Sequence, residues 1–251
     1  MAYKKNIAFV TGVSDGIGAA FTKILLHNGW EVIGISRNEK KLNLFKKSIN
    51  PLSNVFKSYI CDVQNIEKLK KIANENNSAT LLFLNAGIYN PIDSSESNLE
   101  IYKEHINVNL LGVINCYEAF LPKMLLVGSG KVLIMSSIAG WIGLPKSAAY
   151  GPTKAALRSF AQSIRYDLFS KGISVQLCSP GFIETSATSI NDFYMPGLLK
   201  VDDAAKLIYK NMNKNKFEFS FPFIFSSCMK ILSLLPDKIS LLLIKKLLLK
   251  S

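Results

Sequence analysis

Residues 6–18, NIAFVTGVSDGIG, decide how the rest of the chain is read. The first five form an apolar, β-rich run. The next eight carry glycine at 12, 16 and 18, immediately before a long helical pattern. A glycine-rich turn that leaves a strand and opens a helix is the phosphate-binding corner of a βαβ unit. Gly12 permits the tight turn, Gly16 lets backbone approach a pyrophosphate, and Gly18 lets helix pack on strand. The first N–H groups of the helix lack partners within it and are offered to the phosphates. This stretch therefore predicts a strand–turn–helix that holds a dinucleotide.

Working outward, the same alternation continues. Strand-like runs occupy residues 31–36, 56–63, 79–85, 130–137, 173–179 and 216–221, and several are apolar throughout, as in strands covered on both faces. Helix-length patterns fill 16–29, 38–48, 64–76, 98–127, 150–171 and 202–214. Strands that alternate with helices predict an α/β fold: a Rossmann-like, doubly wound parallel sheet of about seven strands with helices on both faces. No linker or repeat divides the chain. Residues 1–222 are read as one Rossmann-type domain holding cofactor and substrate sites together, and residues 223–251 as a basic, Leu-rich appendage.

The second strand ends in Ser36 and is followed by Arg37, where dinucleotide folds that bind NAD carry an acid. A neutral serine and a guanidinium suit a 2′-phosphate, so NADP(H) is favoured over NAD(H). Asp15, inside the glycine turn, opposes this by placing a carboxylate near the same ribose. Further on, YGPTK (150–154) places Tyr150 and Lys154 one helical turn apart on a common face, behind a proline suited to a helix start. A phenol titrates near pH 10, and a lysine beside it is expected to stabilise the anion.

With NAG (85–87), NLLG (109–112), SS (136–137) and PGFIET (180–185), these motifs resemble the short-chain dehydrogenase/reductase family, from about residue 5 to residue 216. The resemblance implies a catalytic set of Asn109, Ser137, Tyr150 and Lys154. Tyr150 would be the proton donor in carbonyl reduction, Ser137 would hold the substrate oxygen, and Lys154 would bind the nicotinamide ribose. Asn109 would position a relay water, with Asn107 as the alternative by position. The cofactor residues implied are Gly12, Ser14, Asp15, Gly16, Ile17, Gly18, Ser36, Arg37, Asp62, Val63, Asn85, Ala86, Gly87, Tyr150, Lys154, Pro180, Gly181, Ile183 and Thr185. Asp62 matches the adenine-binding acid, Asn85 ties the fourth strand to the glycine turn, and Ile183 and Thr185 match the carboxamide positions.

The expected function is an NADP(H)-dependent oxidoreductase acting on a hydrophobic carbonyl/alcohol pair. A 3-oxoacyl-thioester reductase and a non-catalytic, redox-sensing dinucleotide module are the alternatives. The substrate's apolar character is read from the lid segment after Thr185, with Phe193, Tyr194, Met195, Leu198 and Leu199. Cys61, Cys116, Cys178 and Cys228 form no close pair and read as reduced, buried thiols of a cytoplasmic protein. With two histidines, His27 and His105, no metal site is expected, and His105 reads as a packing or surface residue. No leader of signal-peptide length and no spanning helix is expected.

The net charge is +12, and residues 210–251 hold eight lysines against Glu218 and Asp237, half of that excess. No nucleic-acid-binding motif organises it. The lysines of EKKLNLFKK (39–47) read as a solvated face. Lys245, Lys246 and Lys250 among leucines allow peripheral contact with an anionic membrane, while packing over the cleft or on another subunit of a homodimer or homotetramer is the favoured reading. Pro236 breaks that segment.

Overall fold

The computed structural model describes residues 6–96, 98–191 and 194–248, so Phe193 and Lys250 lie outside the described residues. The predicted opening forms as β1 (Ile7–Thr11) and α1 (Gly16–His27). There follow β2 (Glu31–Ser36), α2 (Glu39–Ser48), β3 (Phe56–Ile60), α3 (Ile66–Glu75) and β4 (Leu81–Leu84). Next come α4 (Leu99–His105) and α5 (Gly112–Val127), joined without a break by a π turn, Ile106–Leu111. The chain continues with β5 (Gly130–Met135), α6 (Gly151–Phe169), β6 (Ile173–Pro180), β7 (Ile183–Glu184), β8 (Leu199–Lys200), α7 (Val201–Met212), β9 (Glu218–Phe221), α8 (Phe223–Leu232) and α9 (Asp237–Leu248).

Seven strands form one parallel sheet in the order β3-β2-β1-β4-β5-β6-β9. The chain winds from β1 outward to β3, then returns to the other side of β1 with β4. That reversal opens a crevice at the carboxyl ends of β1 and β4, where open α/β sheets take their ligands. The glycine turn and Asn85 both lie there. A separate two-stranded pair, β7 with β8, brackets the lid segment and was not visible as a periodic run.

Both faces of the sheet are covered, which explains the unbroken apolar runs. Ile7 and Phe9 of β1 point into one core with side chains of α3, α5 and α6. Ala8 and Val10 point into the other, with α1, α2 and α7. Phe9 stacks on Phe120 of α5 with ring centroids 3.7 Å apart, and Phe21 of α1 packs on Phe83 of β4. Each such fully buried side chain contributes about 1.5–3 kcal/mol.

By length and composition the continuous helix Leu99–Val127 is apolar enough to cross a membrane, contrary to the expectation from charge-free runs. Its Val113, Cys116, Tyr117, Phe120 and Met124 are buried against the sheet, so that apolarity serves the core. Cys228 also departs from expectation. It is an exposed thiol on α8, whereas Cys61, Cys116 and Cys178 are buried, and all four are free.

The tail breaks at Pro236, as expected, into α8 and α9. Met229, Leu232 and Ile244 bury against Ile138, with Trp141, Ile142 and Leu144 packed around them. The tail thus covers the outside of the loop that follows β5.

Candidate active site

The glycine turn is built as its residues require. Gly12 and Gly16 adopt φ of +73° and +52°, where a side chain is strained. A Cβ on Gly18 would fall onto the Gly12 carbonyl and lie 2.7 Å from Asn85 Nδ2. Gly18 is therefore a packing glycine, and it does not line the cleft. Asp15 caps α1, its Oδ1 accepting from Gly16 N at 2.7 Å. Asn85 Nδ2 donates to Thr11 O at 3.0 Å, and Thr11 Oγ1 accepts from Asn85 N and Ala86 N. These bonds tie β4 to the glycine turn.

A cleft of about 440 Å³ runs over this edge of the sheet. Gly12, Ser14, Asp15, Gly16, Ile17, Ser36, Arg37, Asp62, Val63, Asn85, Ala86, Gly87, Tyr150, Lys154 and Thr185 all line it. Asp62 lies two residues beyond β3, not within it, and its Oδ1 accepts from Gln64 N at 2.9 Å. The Ser14 and Ser36 hydroxyls hydrogen-bond to each other at 2.7 Å, joining the glycine turn to the end of β2. Backbone turned by glycine, free helix-start N–H groups and an adjoining strip of Ser36, Arg37 and Asn38 fit a dinucleotide with its phosphates at α1.

Asp15 is not a bare acid beside the ribose site. Lys41 Nζ lies 2.5 Å from its Oδ2, which also accepts from Ser186 Oγ at 3.0 Å. Burial works to raise its pKa, but the bonds from Lys41, Gly16 and Ser186 outweigh that and hold it below the usual carboxylate value. Lys41 corrects the reading of its lysine run as merely solvated. It lies in the first turn of α2, beside the cleft.

A second, apolar cavity of about 280 Å³ adjoins the cleft. Tyr150, Ile17, Tyr89, Met135 and Thr185 face both spaces. Ser137, Pro180, Gly181 and Ile183 line only this second cavity, although the last three were expected among the cofactor residues. Its apolar wall comes from Ile138, Ala139, Leu144, Pro145 and Phe182. The lid contributes instead its near end, the polar Thr185, Thr188 and Asn191 with the small Ala187. Tyr194 is 84% exposed, and neither it nor Met195, Leu198 or Leu199 lines the cavity. The apolar character inferred from the lid therefore belongs to other residues.

Tyr150 stands where the two spaces meet, at the start of α6, and its hydroxyl is hydrogen-bonded to Ser137. Burial pushes its pKa up to about 12, against the opposing effect of the Ser137 bond. Lys154, expected to stabilise the phenolate, lies close by. Its Nζ donates to the Met135 carbonyl at 2.9 Å and lies 5.3 Å from the centre of the Tyr150 ring. Burial lowers the Lys154 pKa to about 8.

Asn109 is fully buried in the π turn, a helical irregularity common at functional sites. Its Oδ1 accepts from Ile88 N at 2.7 Å, and its Nδ2 donates to Ile88 O at 2.9 Å and to Thr153 Oγ1 at 3.4 Å. Asn107 is exposed, so the site side of the turn belongs to Asn109. A Cβ on Gly87 would lie 3.1 Å from Asn109 Oδ1 and 3.6 Å from Lys154 Nζ, so glycine permits their approach. His105 is buried, with Nε2 accepting from Asn90 N at 3.1 Å and Nδ1 donating to Ile101 O at 2.7 Å. It packs, as expected.

The sequence profile described as short chain dehydrogenase matches residues 6–192. The chain belongs to the short-chain dehydrogenase family. It is 31% identical to an uncharacterized oxidoreductase of Staphylococcus epidermidis, over 76% of this chain and 83% of that one. It is 30% identical to the 3-oxoacyl-acyl-carrier-protein reductase of Escherichia coli, over 82% and 86% of the two chains. Among solved structures it is similar to ElxO with NADP bound, at 26% identity and a TM-score of 0.76, covering 86% of this chain and 97% of that one. As a member of the family the protein is an oxidoreductase that uses a nicotinamide nucleotide.

Within this family site, Lys41, Ser186 and Tyr89 are the residues that motif reading missed. Tyr89 packs edge-on against Tyr150 with centroids 5.1 Å apart and donates to Asn191 Oδ1 at 3.2 Å. Its place two residues past NAG was the only sequence signal.

Proposed function

We propose that the protein is an NADP(H)-dependent oxidoreductase that interconverts a hydrophobic carbonyl compound and its alcohol, with Tyr150 as acid and base. The observation that carries this reading is the hydrogen-bonded Tyr150–Ser137 pair at the junction of a polar cleft and an apolar cavity. The nicotinamide cofactor, when bound, supplies or accepts the hydride.

The rest falls to the chain's own side chains. With its pKa near 12, Tyr150 is a protonated phenol at neutral pH, in the state needed to donate to a carbonyl oxygen. Ser137 holds that oxygen with its hydroxyl, and Ile138, Leu144, Pro145 and Phe182 exclude water from it. Lys154, protonated below about pH 8, puts a positive charge beside the ring as the phenolate forms. Asn109 holds the Ile88 backbone at the cleft wall and would anchor the water that returns a proton toward Lys154. Ser36, Asn38, Arg37 and Lys41 form a strip suited to a 2′-phosphate, with Asp15 neutralised by Lys41.

The test is NADPH oxidation with a panel of apolar ketones, aldehydes and 3-oxoacyl thioesters, comparing wild type with Tyr150→Phe. The thioesters are included because the Escherichia coli relative bears that activity in its name. We expect turnover of at least one apolar carbonyl by wild type and loss of it in the variant, with NADPH binding kept. Equal inertness of both while NADPH still binds would defeat the enzymatic reading and favour a redox-sensing module.

We further place the protein in the cytoplasm as a homodimer or homotetramer, with residues 223–251 in peripheral contact with an anionic membrane. Exposed Leu126 of α5 and Tyr166 and Phe169 of α6 support subunit contact. Phe223 and Leu234 are 81% and 77% exposed, with Ile224, Ile231, Leu241 and Leu242 also outward, and Lys238, Lys245 and Lys246 lie among the exposed residues of α9. Apolar side chains with interspersed lysines suit an anionic lipid surface. Flotation of the full chain with phosphatidylglycerol vesicles, compared with Ile231→Glu/Leu242→Glu, checks this. Equal flotation of the two folded proteins would remove the tail as the contact.

A further inference from the structure

Glu218 takes no part in the mechanism above, yet three of its partners are one step from a group that does. It lies on β9 at the edge of the sheet, its side chain 14% exposed. Its Oε1 accepts from the Trp141 indole Nε1–H and from the Ser179 hydroxyl, both at 2.7 Å. Its Oε2 faces Arg158 Nη2 at 3.2 Å and Lys230 Nζ at 3.9 Å.

Trp141 closes the single turn Ile138–Gly140, and Ser137 caps the other end of that turn, its Oγ accepting from Ala139 N at 3.2 Å. Ser179 immediately precedes Pro180, whose carbonyl accepts from Ser137 Oγ at 3.4 Å. Arg158 lies one helical turn beyond Lys154 on α6. The turn and the helix touch through backbone, since a Cβ on Gly140 would lie 2.7 Å from the Lys154 carbonyl carbon. The fourth donor, Lys230 on α8, also lies 4.7 Å from the centre of the Trp141 ring, so the tail shares the anchor.

We infer that Glu218 is a positioning residue for proton transfer. One carboxylate sets the spacing of the Ser137 turn, the Pro180 loop and the Lys154 helix, and thereby the Ser137–Tyr150–Lys154 geometry. A carboxylate suits this role because it accepts from Trp141 and Ser179 while pairing with the two cations, and bonds from cations are about twice as strong as neutral ones. Without it, Arg158 and Lys230 face each other as like charges in a half-buried place. Arg158 Nη1 already has no hydrogen-bond partner among the described atoms, so the guanidinium has no second acceptor to fall back on.

The inference rests on the carbonyl-reductase reading, and its test has one arm that does not. Glu218→Ala, Glu218→Gln and Trp141→Phe are made in the full chain. Each is measured for NADPH-binding stoichiometry and affinity, and for kcat on the best carbonyl of the panel. Displacement by about 1 Å costs on the order of a hundredfold, so kcat per NADPH-binding site should fall about 30- to 100-fold in Glu218→Ala, with NADPH affinity within about threefold. Glu218→Gln keeps acceptors for Trp141 and Ser179 but loses the ion pairs, and about a tenfold loss is expected. Trp141→Phe should lose about five- to tenfold through the same turn.

The chain's two tryptophans are Trp30 and Trp141, so a Trp30→Phe background leaves Trp141 as sole reporter. Glu218→Ala should then shift its emission to the red, whether or not a substrate has been found. An unchanged kcat per binding site in Glu218→Ala or Trp141→Phe overturns the inference. So does a kcat that falls only in proportion to NADPH-binding sites, which marks loss of folded protein. Should wild type turn over nothing on the panel, the enzymatic reading fails by itself, and unchanged Trp141 emission in Glu218→Ala then overturns the anchor.

Discussion

Replacing Lys154 by methionine is expected to end turnover and yet make the fold more stable. Burial lowers the lysine's pKa from its ordinary 10.5 to about 8. At ~1.4 kcal/mol per tenfold change in proton affinity, the charged form carries a cost of about 3 kcal/mol at neutral pH. Against this, the ammonium's 2.9 Å bond to the Met135 carbonyl would be lost, which removes about 1–2 kcal/mol. Methionine fills the same space without a charge, leaving a net gain of about 2 kcal/mol. In a chain of this size that raises Tm by about 4–8 °C.

The pH dependence has a definite sign. Below pH 8 the folded and unfolded chains both hold the Lys154 proton, and the cost is fully present. Between about 8 and 10.5 the unfolded chain keeps a proton that the folded chain has released, so the Lys154 contribution to stability rises with pH. Tyr150, raised from 10.0 to about 12, acts oppositely, as do Tyr117 and the buried thiols of Cys61, Cys116 and Cys178, so the Lys154 contribution is isolated by the difference between wild type and Lys154→Met. Urea melts followed by circular dichroism at half-unit steps from pH 7 to 10.5 should show wild-type stability climbing relative to Lys154→Met, because the other titrating groups are common to both. A variant less stable than wild type at pH 7, or a difference between the two that stays constant with pH, would refute the buried-charge reasoning.

Gly18→Ala should lower stability by about 2–3 kcal/mol and NADPH affinity at least tenfold, because its Cβ meets the Gly12 carbonyl. Near-wild-type melts and titrations would contradict the close packing of α1 on β1. Arg37→Ala and Lys41→Ala should each weaken NADPH about tenfold and leave NADH within about twofold. An unchanged cofactor preference removes that residue from the 2′-phosphate strip. Leu144→Trp should fill much of the 280 Å³ cavity and raise KM for bulky ketones about tenfold without altering NADPH binding. Equal KM values for large and small ketones would show that the substrate lies elsewhere.

Much of the fold was legible because its signals are local. β2 and the parallel α/β alternation follow from short apolar runs separated by helix-length patterns, and the turn at residues 12–18 needs only its glycines and the elements on either side. β7 and β8 were not legible, because two-residue strands carry no period. The lid misled for a related reason. Phe193 lies outside the described residues, and Tyr194, Met195, Leu198 and Leu199 are apolar in composition but do not face the cavity. Lys41 was lost in a lysine-rich run, since counting charge along a helix does not say which lysine meets an acid 26 positions earlier.

The sequence by itself determined the parallel α/β order, the dinucleotide turn, and the placing of Tyr150 and Lys154 one helical turn apart. Those properties depend on backbone geometry over a few residues, where periods of 2 and 3.6 carry the information. The tertiary structure alone decided that Asn109 and not Asn107 faces the site, and that Asp15 is met by Lys41. It also decided that the apolar wall comes from the loop after β5, and that Glu218 joins Trp141, Ser179, Arg158 and Lys230. Such contacts join residues tens of positions apart, and only the packing of whole elements against the sheet brings them within hydrogen-bond reach.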